Sequence, residues 1–313
     1  MKIKGKIKIS DFRKYTLLIV FIALCVFFSL STDAFLKPNN IKDVIRSNSI
    51  SGLLAIGVTY AILSGGIDLS TEAVACLAGI VSGALSKNIY VALAAGIGVG
   101  VVFGLINGFV LTRTNVQPFI FTLAMSRIGR GIVMIYTKGI SLYDIDEGFR
   151  GIAKGSIGSI PLPIVYFLGI ILVSYVILNH SKLGRYIYAV GSNTEAARLS
   201  GIKVERVRMI VYLVSGVLAA FAGILLTART SAAEVAAADG WSLDAISAVI
   251  IGGTSMRGGE GGVLNTILGI FIIGVLNNGL VLMNVPSYYN VFIKGLMMAF
   301  AVLVDINSSK KKA

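Results

Sequence analysis

The chain alternates between long apolar runs and short polar breaks. Ten runs stand out, near 16–31, 47–64, 71–87, 89–112, 118–137, 161–179, 209–228, 243–253, 263–283 and 288–305. Thr16–Leu30 reads TLLIVFIALCVFFSL and Ile164–Leu178 reads IVYFLGIILVSYVIL, apolar on every side rather than along one stripe. About 20 such residues cross a bilayer as a helix. The pattern therefore predicts an all-α, polytopic membrane bundle of about ten segments. The eighth run is too short for a straight span and predicts a re-entrant or broken element, whose backbone groups must find partners in protein or a wet cavity.

One interval departs from this alternation. Residues 180–208 are polar and basic, and they contain GSNTEAARLSG, Gly191–Gly201. Ser192 followed three residues later by Glu195 is a capping box, and Gly201 suits the left-handed position just past a helix end. The helix so bounded has about eight residues and is roughly 12 Å long, too short to stand alone in water. Asn193 lies at its start, Ala196, Ala197 and Leu199 form a modest apolar side, and Glu195 and Arg198 a charged one. It must dock, either on its own bundle or on a partner; the small alanines favour a close-fitting groove over insertion into lipid.

Charge supplies the orientation. With the N-terminus inside and ten alternating segments, the cytoplasmic pieces (1–15, 65–70, 113–117, 180–208, 254–262, 306–313) carry 17 lysines and arginines and the outer loops eight. Excess positive charge marks the inner side, so both termini are expected in the cytoplasm. This divides the chain into a basic N-terminal segment (1–15), a transmembrane domain (16–305) containing the loop 180–208, and a basic tail (306–313). The net charge of +13 then reports topology, and no separate basic domain is present for nucleic acid. Only 14% of residues are charged, against about 25% in soluble domains. The first run is long for a signal-peptide core and no A-x-A-like site follows it, so it is read as a retained helix.

Small residues point to tight packing. Gly96, Gly100, Gly104 and Gly108 recur every four positions, and Gly216/Ala220 and Ala219/Gly223 give a weaker version; such spacing lets helix backbones approach closely.

Chemistry is sparse. The sequence has no G-x-x-x-x-G-K-[ST] phosphate loop and no G-x-S-x-G elbow. It has one histidine, His180, and two cysteines, Cys25 and Cys76, inside apolar runs. Neither a catalytic constellation nor a His/Cys metal site is expected. Asp68 in GGIDLS follows a helix-breaking Gly65-Gly66; it reads either as the cap of the next helix, with Ser70 as its neighbouring alternative, or, together with Ser70, as part of a translocation passage. Asn107, Asn277 and Asn278 read as interhelical hydrogen-bonding groups or as contacts for a hydroxylated cargo. Arg127 and Arg130 need a partner or water, with Asp68 or Glu72 as candidates. GGTSMRGGEGG reads as a tight turn beside the helix of 180–208.

Four longer stretches carry a resemblance. AIGVTYAILSGGIDLS (55–70), LGRYIYAVGSNTEAARLSGI (183–202), LDAISAVIIGGTSMRGGEGG (243–262) and VPSYYNVFIKGLMMAFAVLVD (285–305) occur in order, and Glu195-Ala196-Ala197 followed by Gly201 matches an E-A-A-x-x-x-G loop. Together they resemble the ribose and related monosaccharide permeases of ABC importers, over nearly the whole chain beyond the first fifteen residues. Relatives usually have Val-Gly after GGIDLS where this chain has Thr71-Glu72, and often Gly-Thr where it has Asn265-Thr266. The resemblance implies a non-catalytic, multi-pass subunit of a bacterial cell membrane, surrounded by lipid and used as a pair. Its implied partners are a cytoplasmic ATPase with two nucleotide-binding domains, which holds ATP and Mg, and an extracellular or periplasmic sugar-binding protein. It implies no cofactor in this chain. It places ATPase coupling on Ser192, Asn193, Glu195, Ala196, Ala197, Arg198, Leu199 and Gly201. The cargo implied is a pentose, ribose first, with a permease of the same type for another monosaccharide, a sugar-like signal or a nucleoside as the alternative; a secondary carrier and a membrane enzyme are the remaining readings, and the last lacks any reactive constellation.

Overall fold

The computed structural model describes residues 9–310. Helices fall on all ten apolar runs: α1 (Ile9–Ser31), α2 (Pro38–Leu63), α3 (Thr71–Ala84), α4 (Ile89–Arg113), α5 (Pro118–Thr137), α7 (Leu162–His180), α10 (Val204–Thr230), α11 (Trp241–Ile251), α12 (Val263–Leu282) and α13 (Ser287–Lys310). Three further helices, α6 (Glu147–Lys154), α8 (Lys182–Ser192) and α9 (Thr194–Leu199), lie in the longer polar intervals. A two-stranded hairpin, β1 (Ser156–Ile157) with β2 (Ile160–Pro161), joins α6 to α7, pairing Ser156 with Pro161 and Ile157 with Ile160.

Five of these helices, α4, α5, α7, α10 and α12, are long and apolar enough to cross a membrane. The predicted boundary at residue 15 falls inside α1; residues 1–8, and 311–313 of the predicted tail, lie outside the described residues.

Two features differ from the sequence pattern. The third run was expected to span, but α3 has 14 residues, about 21 Å, short of a bilayer core of about 30 Å. Residues 65–70, expected as a cytoplasmic loop between two spans, are largely buried, with Asp68 and Ser70 each 1% exposed. The chain turns at Gly65 (φ +79) and runs back into the bundle, where α3 begins. The short eighth run does form a short helix, α11, of 11 residues.

These two half-helices reveal an internal repeat. A long helix, a short helix, a long helix and a Pro-led helix follow one another as α2–α5 and again as α10–α13. α3 packs on α10 while α11 packs on α2; α4 packs on α10 while α12 packs on α2; α5 packs on α3 while α13 packs on α11. The half-helices begin with the same pattern, Ser70-Thr71-Glu72-Ala73 and Ser242-Leu243-Asp244-Ala245. They meet N-terminus to N-terminus: Ser242 Oγ accepts the Glu72 amide at 3.0 Å. The C-terminal part of α2 lies beside the N-terminal part of α10, where Gly57 and Ser215 nearly touch, so the two repeats have inverted orientations, a common plan among transporters.

The small-residue stripes build the centre. Gly96, Gly100, Gly104 and Gly108 all face α10, against Ile224, the Gly216 carbonyl, Tyr212–Leu213 and Met209. Ala220 completes that face, and Gly223 lies on α3 against the Ala75 carbonyl. A methyl group at Gly100, Gly216 or Gly223 would overlap backbone atoms of the opposite helix.

Candidate functional site

The predicted docking helix is present at one end of the bundle, with a different cap. Interval 180–208 contains two helices, not one. Ser181 Oγ caps α8 by accepting the Gly184 amide at 3.1 Å. The end of α8 is held between two turns: the Gly191 backbone passes Leu63, the Gly259 amide donates to the Leu63 carbonyl at 3.0 Å, and Gly259 lies against Ser192. Ser192 is thereby used as the last residue of α8. Asn193, extended at φ −157, is the cap of α9, its Oδ1 accepting the Ala196 amide at 2.9 Å. The capping box on Ser192 is therefore shifted by one residue, and Glu195 does not reach back: its carboxylate takes Arg198 at 2.7 Å.

The exit of α9 follows expectation. Gly201 has φ +82, its amide donates to the Arg198 carbonyl at 3.0 Å, and the Ile202 amide to that of Ala197 at 3.1 Å. Ala197 is buried, and Arg208 of α10 donates to Thr194 Oγ1 at 3.1 Å. The opposite face carries Glu195, Ala196, Arg198 and Leu199, and Leu199 is 89% exposed. GGTSMRGGEGG is the expected tight turn: Tyr188 Oη of α8 donates to the Gly261 carbonyl at 3.0 Å, and Gly258, Gly259 and Gly261 take positive φ.

Asp68, Ser70 and Asn107 come together at the α2–α3 junction. Asp68 Oδ1 accepts from the Ser70 amide at 3.0 Å and from Ser70 Oγ at 2.6 Å, while Oδ2 accepts from Ser215 Oγ of α10 at 2.7 Å. Asn107 of α4 donates to Ser70 Oγ at 2.8 Å. The Asp68–Ser70 pair thus ties α3, α4 and α10 together, while the first turn of α3 is capped from α11 by Ser242, which also donates to the Leu69 carbonyl at 3.1 Å. Neither Asp68 nor Glu72 forms an ion pair with Arg130. That guanidinium, half-way along α5, donates to the carbonyls of Val235 and Ala237 at 3.2 and 3.0 Å and pairs with Asp239 at 3.6 Å; Arg127 is exposed.

Asn277 and Asn278 lie elsewhere, toward the far end of α12. Asn278 and Asn40 of α2 exchange amide hydrogen bonds at 2.8 and 3.0 Å, an interhelical pair as expected. Both α12 asparagines line a cavity of about 300 Å³ between α2, α11 and α12, bordered also by Asp43, Asn48, Trp241 and Asp244. None of Asp68, Ser70 and Asn107 lines it. Asp244 is engaged by Lys294 of α13 at 2.7 Å. Asn48 and Trp241 were not singled out in the sequence, where each sits among ordinary apolar or loop residues. The repeated Ser-x-Glu/Asp-Ala pattern was the available sign for Ser242.

A family model described as "Branched-chain amino acid transport system / permease component" matches residues 40–302. The chain is 40% identical over 299 residues to the ribose import permease protein RbsC of Escherichia coli (strain K12), covering 92% of each. It is 40% identical over 291 residues to the protein of the same name from Bacillus subtilis (strain 168), covering 91% of this chain and 90% of the relative. The D-allose transport system permease protein AlsC of Escherichia coli (strain K12) is 37% identical over 299 residues, 94% of this chain and 92% of that one. No solved structure matches the chain.

Proposed function

Because the chain belongs to the branched-chain amino acid transport system / permease component family, we propose that it is the membrane permease of a bacterial ATP-driven importer whose cargo is ribose. The observation that carries the cargo is the 40% identity to ribose import permeases of two bacteria, over about nine-tenths of both chains. The D-allose permease at 37% keeps another monosaccharide as the second reading. In this reading α9 faces the cytoplasm and inserts its exposed Glu195–Leu199 face into a cytoplasmic ATPase carrying two nucleotide-binding domains; ATP and Mg reside there. The permease works as a pair in the cell membrane, with both termini inside and about ten membrane segments, and an extracellular or periplasmic sugar-binding protein delivers the sugar. Recognition rests mainly on that binding protein.

Liposomes containing this chain test the reading. Ribose uptake is expected only with the ATPase, the binding protein and ATP together. Ala197→Glu puts a charge into the buried face of α9, and Gly201→Val puts a β-branched residue at positive φ, a costly conformation. Each is expected to leave the protein inserted and to abolish ATPase association or ribose-stimulated hydrolysis. Uptake by this chain alone, driven by an ion gradient, would instead establish a secondary carrier. Normal transport by both variants would remove coupling from α9.

A further inference from the structure

A row of polar groups runs from α9 to the centre of the bundle along one side of α10. It starts where Arg208 donates to Thr194 Oγ1 of α9 at 3.1 Å. Tyr212 follows one turn further along α10 and Ser215 one turn beyond that, so the three share a helix face. From Arg208 to Ser215 the row climbs about 10 Å. Tyr212 Oη donates to the Ile67 carbonyl at 3.5 Å, and Ser215 Oγ to Asp68 Oδ2 at 2.7 Å. From Asp68 the row passes to Ser70 Oγ at 2.6 Å. It ends where the two half-helices meet: Ser242 Oγ of α11 lies 2.9 Å from Thr71 Oγ1 and accepts the Glu72 amide at 3.0 Å.

Tyr212 is the member that packing does not explain. Its side chain is 1% exposed, and its ring lies so close to Gly66 that a methyl there would overlap the hydroxyl. The same hydroxyl feels the charges of both Asp68 and Arg208. At 3.5 Å its contact with Ile67 is at the outer limit of a hydrogen bond. A hydroxyl buried with so poor a partner lowers stability, and a phenylalanine would fill the same space without that penalty. Packing therefore accounts for the ring and not for the hydroxyl. The contact is also the longest in the row, the point at which the row can part and re-form. Toward α4 the helix presents Gly216 and Ala220, and toward α3 Gly223, close contacts with no polar link to exchange.

We infer that Tyr212 is a positioning residue for coupling: its hydroxyl joins the docking helix α9, through Arg208, to the Asp68 junction, so that a displacement of α9 reaches the starts of α3 and α11. The inference rests on the transport reading above, in which a partner ATPase moves α9.

Two measurements on the full chain test it. The first uses liposomes with the ATPase and the sugar-loaded binding protein. Tyr212→Phe should keep ATPase association, basal hydrolysis and the unfolding midpoint, while ribose-stimulated hydrolysis and uptake fall at least about fivefold, the lower end of coupling between sites. Normal stimulation would overturn the inference, and so would a lowered unfolding midpoint, which would make the hydroxyl a structural group. Arg208→Gln should lower stimulation as well, and the double variant should fall no further than the weaker single one. Losses that multiply would mean two independent contacts and no row. The second measurement, hydrogen exchange of the purified chain in nanodiscs, needs neither cargo nor ATPase. Both variants should speed exchange of the Ser70 and Glu72 amides, which are held by Asp68 and Ser242, and leave the amides of α12 unchanged. Unaltered exchange at Ser70 and Glu72 in both variants overturns the route even where ribose is carried. A parent chain without ribose-stimulated hydrolysis sinks the importer reading instead, and the exchange result still decides the route.

Discussion

The two half-helices start alike and end in opposite states. At the first, Ser70 and Glu72 open α3 in a closed junction, where Asp68 is saturated by three donors from Ser70 and Ser215; Asn107 Oδ1 is the one side-chain polar atom of that network left over. At the second, Ser242 and Asp244 open α11 beside a cavity whose wall keeps unpaired amide atoms on Asn48 and Asn277. The same local plan therefore serves two ends. Where polar side chains are paired with each other they fix a chain reversal inside an apolar bundle; where they are left unpaired, as in the wall beside α11, they tie no elements together. A polar residue in a membrane helix is informative only once its partner is known.

Breaking the closed junction should have the larger effect. Asp68→Leu leaves three buried donors without an acceptor, at about 1–3 kcal/mol each. Relief from burying the carboxylate offsets part of this, so a net loss of about 3–5 kcal/mol is expected, read as a marked fall in the unfolding midpoint in detergent. Unfolding within about 1 kcal/mol of the parent would show that Asp68 does not hold the junction. Ser242→Ala removes the acceptor of the Glu72 amide and the donor to Leu69, joining the two repeats less firmly. Its expected cost is that of a lost helix cap, about 1–2 kcal/mol, measured the same way; a neutral result would mean the two half-helix starts are independent.

Much of this architecture was readable in advance, and what was not has a physical cause. Apolar runs are recorded residue by residue, so helices appear on all ten, and the four-residue glycine stripe of α4 meets α10 as expected. Chain reversals inside the bundle are not so recorded. GGIDLS looks polar and glycine-rich, the signature of an exposed loop, because its burial depends on Ser215 and Ser242, which lie 147 and 170 or more residues away. The shift of the α9 cap from Ser192 to Asn193 has a similar origin: either residue can cap locally, and Leu63 and Gly259, distant in sequence, decide by pinning the end of α8. Among the candidate passage residues, Asn277 reached the cavity and Asn107 did not, although both are single amides in apolar helices.

The smallest effect is the sharpest discriminator between the two regions. Asn277→Leu is nearly isosteric, and the oxygen it removes has no hydrogen bond to lose. Deleting a satisfied buried group costs stability because its partner is stranded; deleting an unsatisfied one strands nothing and relieves a desolvation penalty. The replacement also borders open space, so its methyl groups can be taken up without the overpacking that a filled core imposes. Stability should therefore change by less than about 0.5 kcal/mol in either direction. The unfolding midpoint of this variant, measured beside that of Ser242→Ala, decides whether the contrast is real. A loss as large as that of Ser242→Ala would mean that Asn277 is a structural residue with a partner formed on assembly, and the cavity wall would then belong with the closed junction.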